Sequence, residues 1–237
     1  MKTLSSILAA AILAAAAGSA SGALVTIGGN FGGSFGNSNV LAVNGQSSTS
    51  ISGNIGGASF SGVVNASSFD GGCNLLLTLT QFSFTSSMSG NVTLTVTIVQ
   101  DYDIPVALGW TGSHQFNGDA NFSGAGQSAS LNVTSTHETT ALPTLNQAEV
   151  AGGPGTVVFN RGQGPTTVVT PVATPYRIAT TYTFVLNRGA TGSVVFNLPD
   201  SGVDQASCVQ PIPLPSAGLA GLAGILGVAG IRRRRLA

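Results

Sequence analysis

Charge is scarce in this chain: only 7% of its 237 residues are Asp, Glu, Lys or Arg. Lysine occurs once, at Lys2, and four of the arginines are crowded into Arg232, Arg233, Arg234 and Arg235. Between positions 24 and 208, three arginines (Arg161, Arg177, Arg188) face eight carboxylates, a net charge of about −5. An acidic domain without lysine repels phosphate backbones, which excludes nucleic acid as a partner. Histidine is limited to His114 and His137 and cysteine to Cys73 and Cys208, and none has metal-ligand spacing to another. Good helix formers are also few, and no amphipathic helix is legible between the two ends of the chain.

What the middle of the chain does contain is Thr, Ser, Val, Gly and Asn, a composition suited to pleated, half-buried surfaces. Val92 to Ile98 alternates strictly, with four aliphatic residues on one face and three threonines on the other. Ile178, Tyr182, Phe184 and Leu186 share a face of a second long strand, and Val194, Phe196 and Leu198 repeat the pattern after a turn. The spacing predicts a hairpin between those two. In Asn74 to Phe84 the apolar positions change parity near Thr80-Gln81, which predicts a β-bulge. Shorter strands are expected at Ala58–Val64, Leu131–Thr136, Val157–Asn160 and Thr166–Val169. Residues 28–57 read as loop or irregular edge strand, and Ala151 to Thr167 as a surface loop. The expectation is one all-β domain over 24–208, an antiparallel β-sandwich of jelly-roll type. The alternative is a β-solenoid, which the Gly/Asn/Ser content favours but for which no steady repeat period exists.

The two ends carry addresses rather than fold. Lys2, the apolar run Leu4 to Ala17 and the small residues up to Ala23 make residues 1–23 a secretory signal peptide. Residues 209–237 are tripartite: a proline motif, the uncharged run 216–231, and the basic stop Arg232–Arg235. Ile212-Pro213-Leu214-Pro215-Ser216 resembles the V-P-L-P-A variant of the PEP-CTERM sorting signals of Gram-negative bacteria, with Ile for Val, Ser for Ala and no glutamate. That resemblance is confined to the tail. It implies export, tethering at the inner membrane through the tail, and processing by an exosortase, a membrane-embedded cysteine transpeptidase, before the protein reaches the cell surface or the exterior. The other reading of the tail is a plain membrane anchor. Its sixteen residues span about 24 Å of helix against roughly 30 Å of hydrocarbon.

Chemistry is harder to find. An even pair of cysteines in an exported chain predicts a Cys73–Cys208 disulfide, against two separate buried thiols. Gly32-Gly33-Ser34-Phe35-Gly36 matches the nucleophile-elbow spacing, but nothing helical follows it. Neither His114 nor His137-Glu138 falls in a catalytic motif. Asp101 and Asp103, two positions apart, are the best carboxylate pair, and calcium is the one cofactor they suggest; a structural turn is the competing reading. Three functions follow in order. The first is a non-catalytic, exosortase-processed surface or matrix protein associated with biofilm or exopolysaccharide. The second is a polysaccharide-binding module, calcium-aided, with Trp110 and Tyr102 stacking on sugars. The third is a surface glycan-active enzyme whose carboxylates come from distant strands.

Overall fold

The computed structural model describes residues 23–37, 39–104, 109–168 and 175–208. The expected signal peptide, the expected sorting motif Ile212–Ser216 and the basic run Arg232–Arg235 lie outside the described residues. Among those described, no helix is long and apolar enough to cross a membrane.

Among the described residues, fourteen strands form two sheets that pack face to face as a β-sandwich. The larger sheet has the order β10 (Thr140–Ala141), β9 (Ser128–His137), β13 (Tyr176–Asn187), β7 (Asn91–Tyr102), β1 (Leu24–Gly29) and β2 (Gly33–Phe35). On it, β11 (Leu145–Val150) also pairs with β9, and β3 (Val40–Leu41) runs parallel to the end of β7. The second sheet has the order β12 (Gly155–Val168), β8 (Trp110–Phe122), β14 (Val194–Cys208), β6 (Asn74–Ser86), β5 (Ala58–Phe69) and β4 (Gln46–Ile55). Apart from the β3–β7 pair, every pairing is antiparallel. The arrangement is a sandwich, not a solenoid.

The strict alternation at Val92–Ile98 is explained by this architecture. Val92, Leu94, Val96 and Ile98 point into the core and are at most 1% exposed, while Thr93, Thr95 and Thr97 face outward. Aromatic residues fill the space between the sheets: Phe82 on β6 stacks on Phe184 on β13 at 4.6 Å, and Phe159 meets Phe196 edge-on at 4.9 Å. Each such buried ring contributes about 1.5–3 kcal/mol by removal from water, and offset or T-shaped contacts add to that.

The parity change in β6 is a bulge. Gln81 has φ +50°, the register against β5 shifts between Ser61 and Val63, and Leu79 and Phe82 are both buried on either side of it. The extra residue returns Phe82 and Phe84 to the inner face, as an unbroken strand could not.

Three expectations from the sequence are corrected. β13 and β14 do not form a hairpin: β13 pairs with β7 and β9, whereas β14 pairs with β6 and β8 in the opposite sheet. The connection arches from one layer to the other, and Gln127 Nε2 donates to Thr191 O (2.9 Å) while Ser123 Oγ donates to Ser193 O (3.0 Å) to hold it. Alternation tells which face is inward but not which strand is the neighbour. Residues 155–167 are not a loop but most of the edge strand β12, and Val157–Asn160 and Thr166–Val168 belong to it together. Its Gly and Pro residues are tolerated because the strand is at the sheet edge, with a register shift between Gln163 and Thr166.

Candidate functional site

Among the described residues, a buried polar cluster lies between the two sheets. Asp204 on β14 is fully buried, yet its carboxylate accepts hydrogen bonds from Thr180 Oγ1 (2.6 Å) and Ser135 Oγ on the facing sheet. His137 Nε2 lies 2.5 Å from Asp204 Oδ1, and its Nδ1 lies 3.1 Å from the Tyr176 hydroxyl. Gly112 makes room for that imidazole: a Cβ there would come within 2.8 Å of His137 Nδ1. Gly202 does the same beneath Tyr182, where a Cβ would approach the ring to 2.5 Å.

Hydroxyl, imidazole and carboxylate thus form a chain with the connectivity of a catalytic relay. Its hydroxyl is the Tyr176 phenol, which is 0% exposed, as are His137 and Asp204, so no substrate reaches it. Burial, with Asp204 adding to it, raises the phenols of Tyr102, Tyr176 and Tyr182 well above the ordinary tyrosine range; at Tyr176 Glu138 contributes as well. A phenol held neutral in this way can donate a hydrogen bond, as Tyr102 does to Leu76 O. His114 is held below the usual histidine range by burial, although Asp204 and its own bond to Pro143 O (2.6 Å) pull the other way. The cluster joins the two sheets.

Of the residues singled out from the sequence, Cys73 and Cys208 are joined in a disulfide. Trp110 and Tyr102 are not available to stack on a sugar, because both are buried, at 1% and 0% exposure, and the Tyr102 hydroxyl donates to Leu76 O at 2.9 Å. A large ring on an inward-facing strand position is drawn into the core by the same area term that buries Phe184. Asp101 is engaged by Arg177, whose Nε and Nη2 donate to its two oxygens at 2.7 and 2.8 Å. That fork raises the Arg177 pKa, the hydrogen bond to Asp101 contributing most. Asp103 is exposed beyond the end of β7, with its N–H bonded to Leu41 O. Among the described residues no three metal-ligating side chains cluster.

The sequence reading did not single out Phe69. It is the one Phe, Tyr or Trp side chain among the described residues that counts as exposed, at 40%. It sits at the outward end of β5, on the same face as Asn65 and Ser67. A sharp turn follows, in which Asp70, Gly71 and Gly72 all have positive φ (+52°, +66°, +85°). Several contacts fix that turn. Asn74 Nδ2 donates to Asp70 Oδ2 (2.5 Å), Gly71 N–H to Asn44 Oδ1 (3.0 Å), and Cys208 N–H to Cys73 O (2.8 Å). The disulfide closes the same end. The ring therefore projects from a braced position.

Two residues back on the same face of β5, Ser67 borders an open groove of about 400 Å³ lined by Gln46, Ser47, Ser48, Asn65, Ala66 and Ser67. A second groove of about 270 Å³ continues past Gln46 to Asn39, Leu41 and Gln100. No lining residue is charged. Gln100 Nε2 donates to Asn39 O (2.8 Å) and Asp101 O (2.7 Å), but its Oε1 has no partner among the described residues, nor have Ser47 Oγ, Thr49 Oγ1 and Ser68 Oγ. Val40 and Val43, at 52% and 39% exposure, add apolar surface along the loop that borders the second groove. An aromatic plate beside neutral amides and hydroxyls offers one face for C–H groups and many donors and acceptors for neutral polar ones.

No family model matches the chain, and no curated protein does. Among solved structures, the carbohydrate-binding module TmCBM61 in complex with beta-1,4-galactotriose is 11% identical, covering 65% of this chain and 88% of that one, with a TM-score of 0.26. A family 11 carbohydrate-binding module from Clostridium thermocellum, bound to a mixed-linked tetrasaccharide, is 12% identical over 79% of this chain and 98% of its own, with a TM-score of 0.20. The VP2 subviral particle of infectious bursal disease virus is 15% identical over 92% of this chain and 70% of its own, with a TM-score of 0.25. With all three scores under 0.5, these proteins bear on neither the ligand nor the activity of this chain.

Proposed function

We propose that this chain is an exported surface or matrix protein whose β-sandwich binds a neutral polysaccharide at the Phe69 face. The observation that carries the reading is the pairing of one braced, exposed aromatic ring with grooves lined by uncharged Asn, Gln and Ser side chains. A pyranose presents the same mixture: an apolar C–H face and a rim of neutral hydroxyls. Binding in these grooves needs no cation, since no carboxylate lines them. The calcium reading for Asp101 and Asp103 would require displacing Arg177 from Asp101.

Export and tethering rest on the ends of the chain, the signal peptide and the PEP-CTERM-like tail with its exosortase, and the disulfide suits an oxidising exterior. The test has two parts. The exported protein should be retarded in native gels containing neutral polysaccharides, with and without a calcium chelator, and not in gels containing charged ones. Its intact mass should place the mature C-terminus near Pro215. Free migration in every gel refutes the binding reading, and a dominant form that still contains Leu219–Ile231 refutes processing.

A further inference from the structure

Sheet edges are where strands expose unpaired main-chain groups, and a guarded edge differs visibly from an open one. At one edge of the smaller sheet, β12 is guarded in four ways. Gln147 caps it, donating from Nε2 to Val158 O (2.9 Å) and accepting from Asn160 N–H at Oε1 (3.0 Å). Arg161 is exposed on it, Pro165 removes a donor, and the register shifts between Gln163 and Thr166. In the larger sheet the edge strands β2 and β10 are three and two residues long, and β11 carries Glu149.

The other edge of the smaller sheet has none of these devices. β4 is ten residues, Gln46–Ile55, without charge, proline or register shift. The two-residue turn Gly56-Gly57, with both φ positive (+49° and +112°), makes Ile55 and Ala58 a mutually hydrogen-bonded pair. Alternation from that pair directs the N–H and C=O of Ile51, Thr49 and Ser47 toward β5. Those of Asn54, Ser52, Ser50 and Ser48 point away from the sheet, and among the described residues no hydrogen bond reaches them. Side chains at these four positions are small, neutral and exposed.

We propose that β4 is a homotypic docking edge, pairing antiparallel with β4 of a second copy of this chain to join two six-stranded sheets into one. A second copy is the occupant because a two-fold axis matches each outward N–H with an outward C=O of the same strand. It also brings an edge that is itself uncharged, straight and of equal length. With the axis perpendicular to the sheet, both Phe69 faces lie on the same side of the joined sheet. A long polymer could then engage two sites and gain by effective concentration. The dimer itself does not depend on what Phe69 binds.

The test is sedimentation velocity of the exported protein over a concentration series, without ligand. The wild-type protein should pass from monomer to dimer. Ser50→Pro removes one outward N–H and no bond to β5, and the double variant Ser50→Lys/Ser52→Lys places like charges across the two-fold axis. Both should weaken dimerisation at least about tenfold with an unchanged circular dichroism spectrum, while Ser50→Ala leaves it unchanged. Amide exchange at Ser48, Ser50, Ser52 and Asn54 should slow as dimer forms. A wild-type protein that stays monomeric overturns the proposal, as does a dimer that both the proline and the double lysine variant leave intact.

Discussion

Removing the Cys73–Cys208 bridge by Cys73→Ala/Cys208→Ala should lower stability mainly through the unfolded chain. The bridge spans 135 residues, from just before β6 to the end of β14, and the loop-entropy relation for that length gives about 5 kcal/mol. The native end of β14 should hold its place, because the Cys208 N–H bond to Cys73 O and the Ser207–Asn74 contact at 2.9 Å are independent of sulfur. For a domain of this size, each kcal/mol shifts the thermal midpoint by about 2–4 °C, so a fall of roughly 10–20 °C is expected. Denaturant titration under non-reducing conditions is the better assay. The variant should unfold at lower denaturant and with a steeper dependence, since its unfolded chain exposes more surface. Equal midpoints for the bridged protein and the variant would refute the reasoning, and so would two free thiols in the folded, non-reduced protein.

Asp204→Ala leaves His137, Ser135 and Thr180 without their common acceptor in the core, and should cost about 3–5 kcal/mol in denaturant titrations; a loss below 1 kcal/mol would mean that water or rearrangement replaces the carboxylate. The three tyrosines of the chain are all buried with raised pKa values, so folding favours their neutral form. Stability on their account is full below the ordinary tyrosine value of about 10 and falls as pH rises beyond it. Alkaline titration should therefore show no tyrosinate absorbance while the fold persists, then one step in which all three ionise with unfolding. A tyrosine ionising near pH 10 in the folded protein would contradict that.

The residues show how far the sequence could be read. Strand faces were legible wherever one side was aliphatic, as at Val92–Ile98, because burial imposes a period of two. The bulge at Gln81 was legible for the same reason: the parity had to be restored. Pairing was not, because the faces of β13 and β14 look alike whether the strands are neighbours or arch across the core. The Asp204–His137 cluster was invisible, since its members lie 67 residues apart in sequence and meet only through sheet packing. Phe69 carried a signal that went unread. Continued past Val64, the alternation of β5 puts Ala66 and Ser68 inward and Phe69 on the polar face with Asn65 and Ser67, an aromatic where a polar residue is expected.

Calorimetric titration of a neutral polysaccharide into the protein and its Phe69→Ala variant tests the binding account most directly. Phe69 is exposed and lies outside the hydrophobic core, so the variant should keep the fold of the parent. The account predicts at least about a tenfold loss of affinity, the scale of an aromatic anchor, with a smaller loss for Gln46→Ala and no change on adding a chelator. A Phe69→Ala protein that binds as tightly as the parent would contradict it.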